Sequence, residues 1–111
     1  MPPTQLPWLY LFLAGLFEVA WAISMKYSNG LTKPLPTALT FGFGFVSFYL
    51  LAVATAKLPI GTSYAIWTGV GAVGTALLGI LLFSESAHWL RLASILLVLC
   101  GIVGLRLTAA S

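Results

Sequence analysis

The chain has 111 residues, of which 60% are hydrophobic and 6% charged, with five Lys and Arg against two acidic side chains. A mean hydropathy of +1.06 excludes an ordinary soluble domain, and the length excludes more than about four bilayer crossings, since each needs about 20 apolar residues as helix. The pI near 9.4 does not mark a nucleic-acid binder, because Lys26, Lys33, Lys57, Arg91 and Arg106 stand singly at or near the ends of apolar runs, where long basic side chains reach the interface.

The first predicted helix covers about residues 6–26. Pro7 and Trp8 mark its start, and Lys26-Tyr27-Ser28-Asn29-Gly30 forms a turn-prone polar exit. It lacks the basic start and cleavage site of a signal peptide, so it is expected to stay in the mature protein. Glu18 stands in its middle, sharing a face with Ala14, Gly15, Trp21, Ala22 and Met25. A charge at the centre of a span costs about 2.5–3.5 kcal/mol on insertion scales. The surrounding Leu, Phe, Val and Ile residues return about 0.3–0.6 kcal/mol each. The helix inserts, and it gains from a partner that covers the carboxylate. Ionisable groups inside a span mark ion or substrate sites by default; the alternative is a structural glutamate bonded to a neighbouring helix.

The second predicted helix, about 36–56, follows Lys33 and Pro34 and carries no charge. Thr40, Gly44, Ser47 and Leu51 share one of its faces, with Ser47 near mid-depth. Such a serine either serves a site or returns its hydroxyl to the carbonyl one turn back. Lys57, Pro59 and Gly61 form a tight turn into the third helix, about 61–83. There Tyr64 and Trp67 lie at i, i+3, as site residues or as an interfacial belt. Gly69 and Gly71, two apart just after Trp67, are read as a helix bend, with close helix packing as the alternative.

Glu85 and His88 fall in a polar loop and are expected to be solvated. The fourth helix, about 88–107, presents Ala93, Leu97, Cys100, Gly101 and Gly104 as a seam without a polar group, read as an oligomerisation face. Cys100 is the chain's single cysteine and is expected to be a packing residue. No metal-ligand spacing, phosphate loop or nucleophile-base pair is present, so neither a cofactor nor an enzyme is expected. The whole chain, 1–111, reads as one all-α domain of four transmembrane helices. Continuous apolarity without period-two alternation argues against a β-barrel.

Charge placement adds two expectations. With the termini in the cytoplasm, Lys57 and Arg106 lie inside, while Lys26, Lys33 and Arg91 lie outside. That bias is too weak to orient the chain. Copies inserted both ways could then pair about an axis in the membrane plane, the symmetry that fused inverted repeats achieve within one chain. No Lys, Arg or His lies mid-span, so the fixed charge within the spans is negative and a transported substrate is expected to be a cation.

Glu18, the exit Met25-Lys26-Tyr27-Ser28-Asn29-Gly30-Leu31-Thr32, and the run Pro59-Ile60-Gly61-Thr62-Ser63-Tyr64-Ala65-Ile66-Trp67-Thr68-Gly69-Val70-Gly71 resemble the small multidrug resistance family over essentially the whole chain. The resemblance implies an antiparallel, dual-topology homodimer in the bacterial inner membrane that exchanges protons for cations. Gly15, Trp21, Gly44 and the continuation Ala72-Val73-Gly74-Thr75-Ala76-Leu77-Leu78-Gly79 look like the guanidinium-exporter subgroup; the multidrug subgroup usually has a small residue in place of Trp21 and a bulky aromatic in place of Gly44. Carried over by position, it implies that Glu18 binds substrate and protons, that Trp21, Ser47 and Trp67 donate to the carboxylates, and that Tyr64 lines the site. The same-class alternative is a multidrug exporter of quaternary ammonium cations. From another class, a passive cation channel or an accessory membrane subunit would also place a carboxylate in a span.

Overall fold

The computed structural model describes residues 5–109. Four helices follow in order: α1 Leu6–Tyr27, α2 Pro34–Thr55, α3 Ile60–Phe83 and α4 Trp89–Thr108. Each is long and apolar enough to cross a bilayer, which makes this a multi-pass membrane protein. Prolines start α1 and α2 within their first turns, where a missing N–H leaves nothing unsatisfied. Their boundaries sit close to the sequence expectation, except that α2 begins at Pro34, so both of its prolines lie inside the helix.

The connections are tied by side chains. Ser28 is fully buried, donates its hydroxyl to the Met25 carbonyl at 2.6 Å and accepts the Leu31 N–H at 3.0 Å. Its own carbonyl accepts from the Thr32 and Lys33 amides. This clamp holds Asn29, Gly30 and Leu31 at positive φ, a conformation that costs Leu31 more than the glycine. Ser28→Ala is expected to lower stability by about 1–3 kcal/mol, because it strands a buried polar group; the fall in thermal midpoint in detergent checks this. In the loop before α4, the two residues expected to be solvated each find a partner. His88 caps α4 by accepting the Leu90 N–H at 3.2 Å, and Glu85 pairs with Arg91 at 2.7 Å. All these groups are exposed, apart from Arg91, which is half-buried.

α1 lies between α2 and α3 and packs on both, whereas α4 packs its backbone against α3 alone. The α1–α3 approach is a set of reciprocal insertions. Val70 of α3 fills the space above Gly15, and Glu18 and Val19 of α1 fill the spaces above Gly71 and Gly74. Without a hydrophobic drive between helices in lipid, close backbone approach through small residues supplies the packing energy. The core is correspondingly thin: Leu11, Ala14, Ala54, Ile66 and Trp67 are its buried members. Leu and Phe side chains such as Phe45, Leu81, Leu97 and Leu107 point outward, where acyl chains replace water.

No described residue of α4 is buried. Ala93, Leu97, Cys100 and Gly101 are exposed along it and Gly104 is partly so, and no described side chain lies within 4 Å of where a Cβ at Gly101 or Gly104 would stand. Cys100, expected to pack, is exposed in the protomer. Arg106, at the end of α4, reaches α1 instead, donating to Gln5 at 3.0 Å and lying 4.2 Å from the Trp8 ring centroid.

Candidate functional site

Glu18 sits two turns above the buried Leu11, at the level where α1 touches α3 through Gly71 and faces α2. A Cβ at Gly71 would overlap the carboxylate, so this glycine creates the room the side chain occupies. Glu18 Oε1 is buried and has no hydrogen-bond partner among the described residues. An unpartnered carboxylate oxygen is a costly group in an apolar setting. It can be satisfied by a donor from outside the protomer, whether a proton, a cation with N–H groups or a second chain.

Beside it lies a cavity of about 60 Å³ lined by Glu18, Trp21, Gly44, Ser47, Phe48 and Trp67. A single water needs about 10–15 Å³, so the space fits a small polar guest and no bulky one. Trp21 lies across Gly44, its Cδ1 only 2.9 Å from where a Cβ of residue 44 would stand. Any larger residue at 44 would displace the indole. A bulky side chain at 44 and a tryptophan at 21 therefore compete for one space.

Ser47 does not return its hydroxyl to its own helix. Thr40, Ser63, Thr68, Ser94 and Thr108 all return their hydroxyls to the carbonyl four residues back. Ser47 alone among the described in-helix hydroxyls crosses to another helix, donating to the Ala14 carbonyl at 2.7 Å. Trp67 Nε1 in turn donates to Ser47 Oγ at 2.9 Å. Ala14 precedes Glu18 by one helical turn, so the chain Trp67–Ser47–Ala14 pins α3 and α2 to the turn that carries the carboxylate. Within this protomer Trp67 thus directs its N–H to Ser47, and Ser47 its proton to the α1 backbone, neither of them to Glu18. Ser47→Ala is expected to leave the Trp67 N–H stranded and to cost about 0.6–1.7 kcal/mol, the range for interhelical hydrogen bonds in membranes; a thermal melt in detergent reads it.

The other expected site residues distribute around this centre. Trp67 is buried between the rings of Phe48 and Tyr64, with centroids at 5.4 and 5.7 Å. Tyr64 itself is exposed and stands outside the cavity, continuing its aromatic wall. Gly15 is not at the cavity: it lies one turn before Glu18, under Val70. Gly69 and Gly71, read as a bend, sit within the uninterrupted α3. Gly69 admits Ile102 of α4 and Gly71 admits Glu18, so what both supply in this structure is space. Phe48 was not anticipated as lining the site. Its one sequence signal is adjacency to Ser47, which places it about 100° around the helix and does not decide which face is inward.

Among the described residues no cluster of His, Cys, Asp and Glu could hold a metal ion, and Glu18 is the one acid among the groups lining the cavity. What the arrangement offers chemically is a single acceptor for a cation or proton, walled by indole and phenyl faces able to attract a cation.

Comparison with known proteins places this geometry in a family. A family profile described as Small Multidrug Resistance protein matches residues 6–98. A protein of Proteus vulgaris named Guanidinium exporter is 48% identical over 102 residues, covering 92% of this chain and 98% of its own length. Proteins with the same name from Escherichia coli (strain K12) and Yersinia pestis are 50% and 51% identical over 101 and 102 residues. They cover 91% and 92% of this chain, and 96% and 98% of their own lengths. With four apolar helices, a mid-span carboxylate and a match across most of its length, the chain belongs to the small multidrug resistance family.

Proposed function

We propose that the protein is a proton-coupled antiporter of the bacterial inner membrane that exports guanidinium and small guanidinyl cations. The observation that carries this reading is Glu18: a mid-span carboxylate with an unpartnered oxygen, opening on a small cavity walled by Trp21, Ser47, Phe48 and Trp67. Guanidinium is planar, with N–H donors that address a carboxylate in bidentate fashion, and its faces suit the indole walls. The named relatives, about half identical over nearly the full length, support the same substrate. A quaternary ammonium ion offers no donor and is bulkier, and with Trp21 laid over Gly44 the cavity leaves little room for it.

The working unit in this reading is an antiparallel homodimer of two oppositely inserted copies, paired in part through the exposed α4 seam Ala93, Leu97, Cys100, Gly101 and Gly104. The second copy brings its own Glu18 to the site. Protons and guanidinium compete for the two carboxylates, and the empty, doubly charged site is the costly state to carry across the membrane. Exchange follows from that competition. The Ser47 hydroxyl has one proton to give, so donation to Glu18 requires release of the Ala14 carbonyl. Site occupancy is thereby tied to the contact between α1 and α2.

Reconstituted liposomes holding this protein alone test the reading. An imposed proton gradient is expected to drive guanidinium uphill, with protons moving the opposite way, and tetraphenylphosphonium is expected to be carried poorly. Flux indifferent to the proton gradient would instead mean a passive channel, and preference for the bulky cation a multidrug exporter. Lack of activity in this minimal system would fit an accessory subunit.

A further inference from the structure

Away from Glu18, a second feature occupies the end of the molecule where α1 finishes and α4 begins. A cavity of about 410 Å³ there is bordered by Lys26 of α1, Glu85, and Arg91 of α4. It borders, across the shared wall residues Ala72, Ala76 and Arg91, an apolar trough of about 200 Å³ between α3 and α4 that runs to Val98. The outer end of this pair of spaces carries the charged side chains, and the wall between them is made of small apolar ones. Lys26 lies in the last turn of α1 and Arg91 in the first turn of α4, the depth at which headgroups meet the helices.

The charges decide what fits. Two cations against one carboxylate repel a guanidinium-type ion, so the trough is no continuation of the substrate site. Glu85 engages Arg91 through Nη2, while Arg91 Nε is buried and has no partner among the described residues. Glu85 therefore leaves part of the guanidinium's donor set unsatisfied. The face of α4 that lines the trough, Arg91, Ser94, Ile95 and Val98, is centred about a third of a turn around the helix from the seam at Ala93, Leu97, Cys100, Gly101 and Gly104, and it borders that seam where Ser94 and Gly101 share a stripe.

We propose that this trough is a binding site for an anionic phospholipid, with the phosphate held between Lys26 and Arg91 and one acyl chain laid over Ala72 and Ala76 between α3 and α4. Basic pockets between transmembrane helices recognise anionic headgroups in this way. The site rests on no part of the transport reading.

Native mass spectrometry of the detergent-purified protein, mixed with equal amounts of palmitoyl-oleoyl phosphatidylglycerol and phosphatidylcholine, tests it. The wild type is expected to retain phosphatidylglycerol in preference. Lys26→Gln should weaken that retention about fivefold, from the usual contribution of one basic residue near anionic lipid. Ala76→Leu should weaken it by filling the trough with every charge kept. Glu85→Gln should strengthen it by freeing Arg91, an increase that a misfolded variant would not give. Lys57→Gln, at the opposite end of the helices, should leave it unchanged. Equal retention of the two lipids, or phosphatidylglycerol retention untouched by both Lys26→Gln and Ala76→Leu, would overturn the site.

Discussion

Glu18→Gln is expected to abolish guanidinium export and substrate-driven proton release together, while the protein still inserts and folds. The amide keeps the size of the side chain, so the room above Gly71 stays filled and α1 keeps its approach to α3. What disappears is the one ionisable acceptor at the cavity. A pair of charge-assisted hydrogen bonds is worth about 1.5–3 kcal/mol per bond, so guanidinium affinity should fall by at least about two orders of magnitude. The neutral amide is no more costly to hold mid-span than a charged carboxylate, so the variant should be about as stable as the wild type. Calorimetric binding and proton release from detergent-solubilised protein measure both losses. Coupled transport surviving in this variant would put the site elsewhere.

The second large effect is expected at Gly71, and its form separates positioning from packing. An added methyl group at 71 meets the Glu18 carboxylate, the free end of a flexible side chain that can swing away at little conformational cost. Gly71→Ala should therefore change stability by less than about 1 kcal/mol, on the scale of a tolerated small-to-large change. It should nevertheless weaken guanidinium binding about 10- to 100-fold, the equivalent of one charge-assisted hydrogen bond lost or misaligned. Gly15→Ala provides the contrast. There the new Cβ would stand 2.7 Å from Val70 Cβ, a stiff branched side chain rooted in the α3 backbone. That variant should lose about 1–3 kcal/mol of stability through overpacking, with affinity affected only as far as α1 and α3 separate. Thermal melts and binding isotherms for the two variants read the split; equal losses of stability would refute it.

These two glycines show where sequence reasoning stopped. From the chain alone, Gly69 and Gly71 are small residues open to a bending or a packing role, and Gly15 is a small residue on the face of Glu18. Only the pairing of α1 with α3 makes one of them the seat of a carboxylate and another the socket for Val70. Ser47 is similar. Its mid-depth position admitted a local back-bond or a site role, and the approach of α1 selected the bond to the Ala14 carbonyl. The complementarity of Trp21 and Gly44 was visible as two subgroup marks, and it became one fact when the indole was found lying over the missing side chain. Phe48 was marked only by its adjacency to Ser47, and the trough between α3 and α4 by nothing, since each depends on which neighbour covers a helix face.

The sequence by itself determined the number of helices, their approximate ends, the presence of a single mid-span carboxylate and the family. All of these follow from local composition: apolar runs long enough to cross a bilayer, prolines and polar clusters between them, and one group too costly to bury without purpose. Tertiary structure decided what surrounds Glu18. In lipid every helix face is apolar, so periodicity cannot say which side is inward, and small residues become sockets only when a particular neighbour inserts into them.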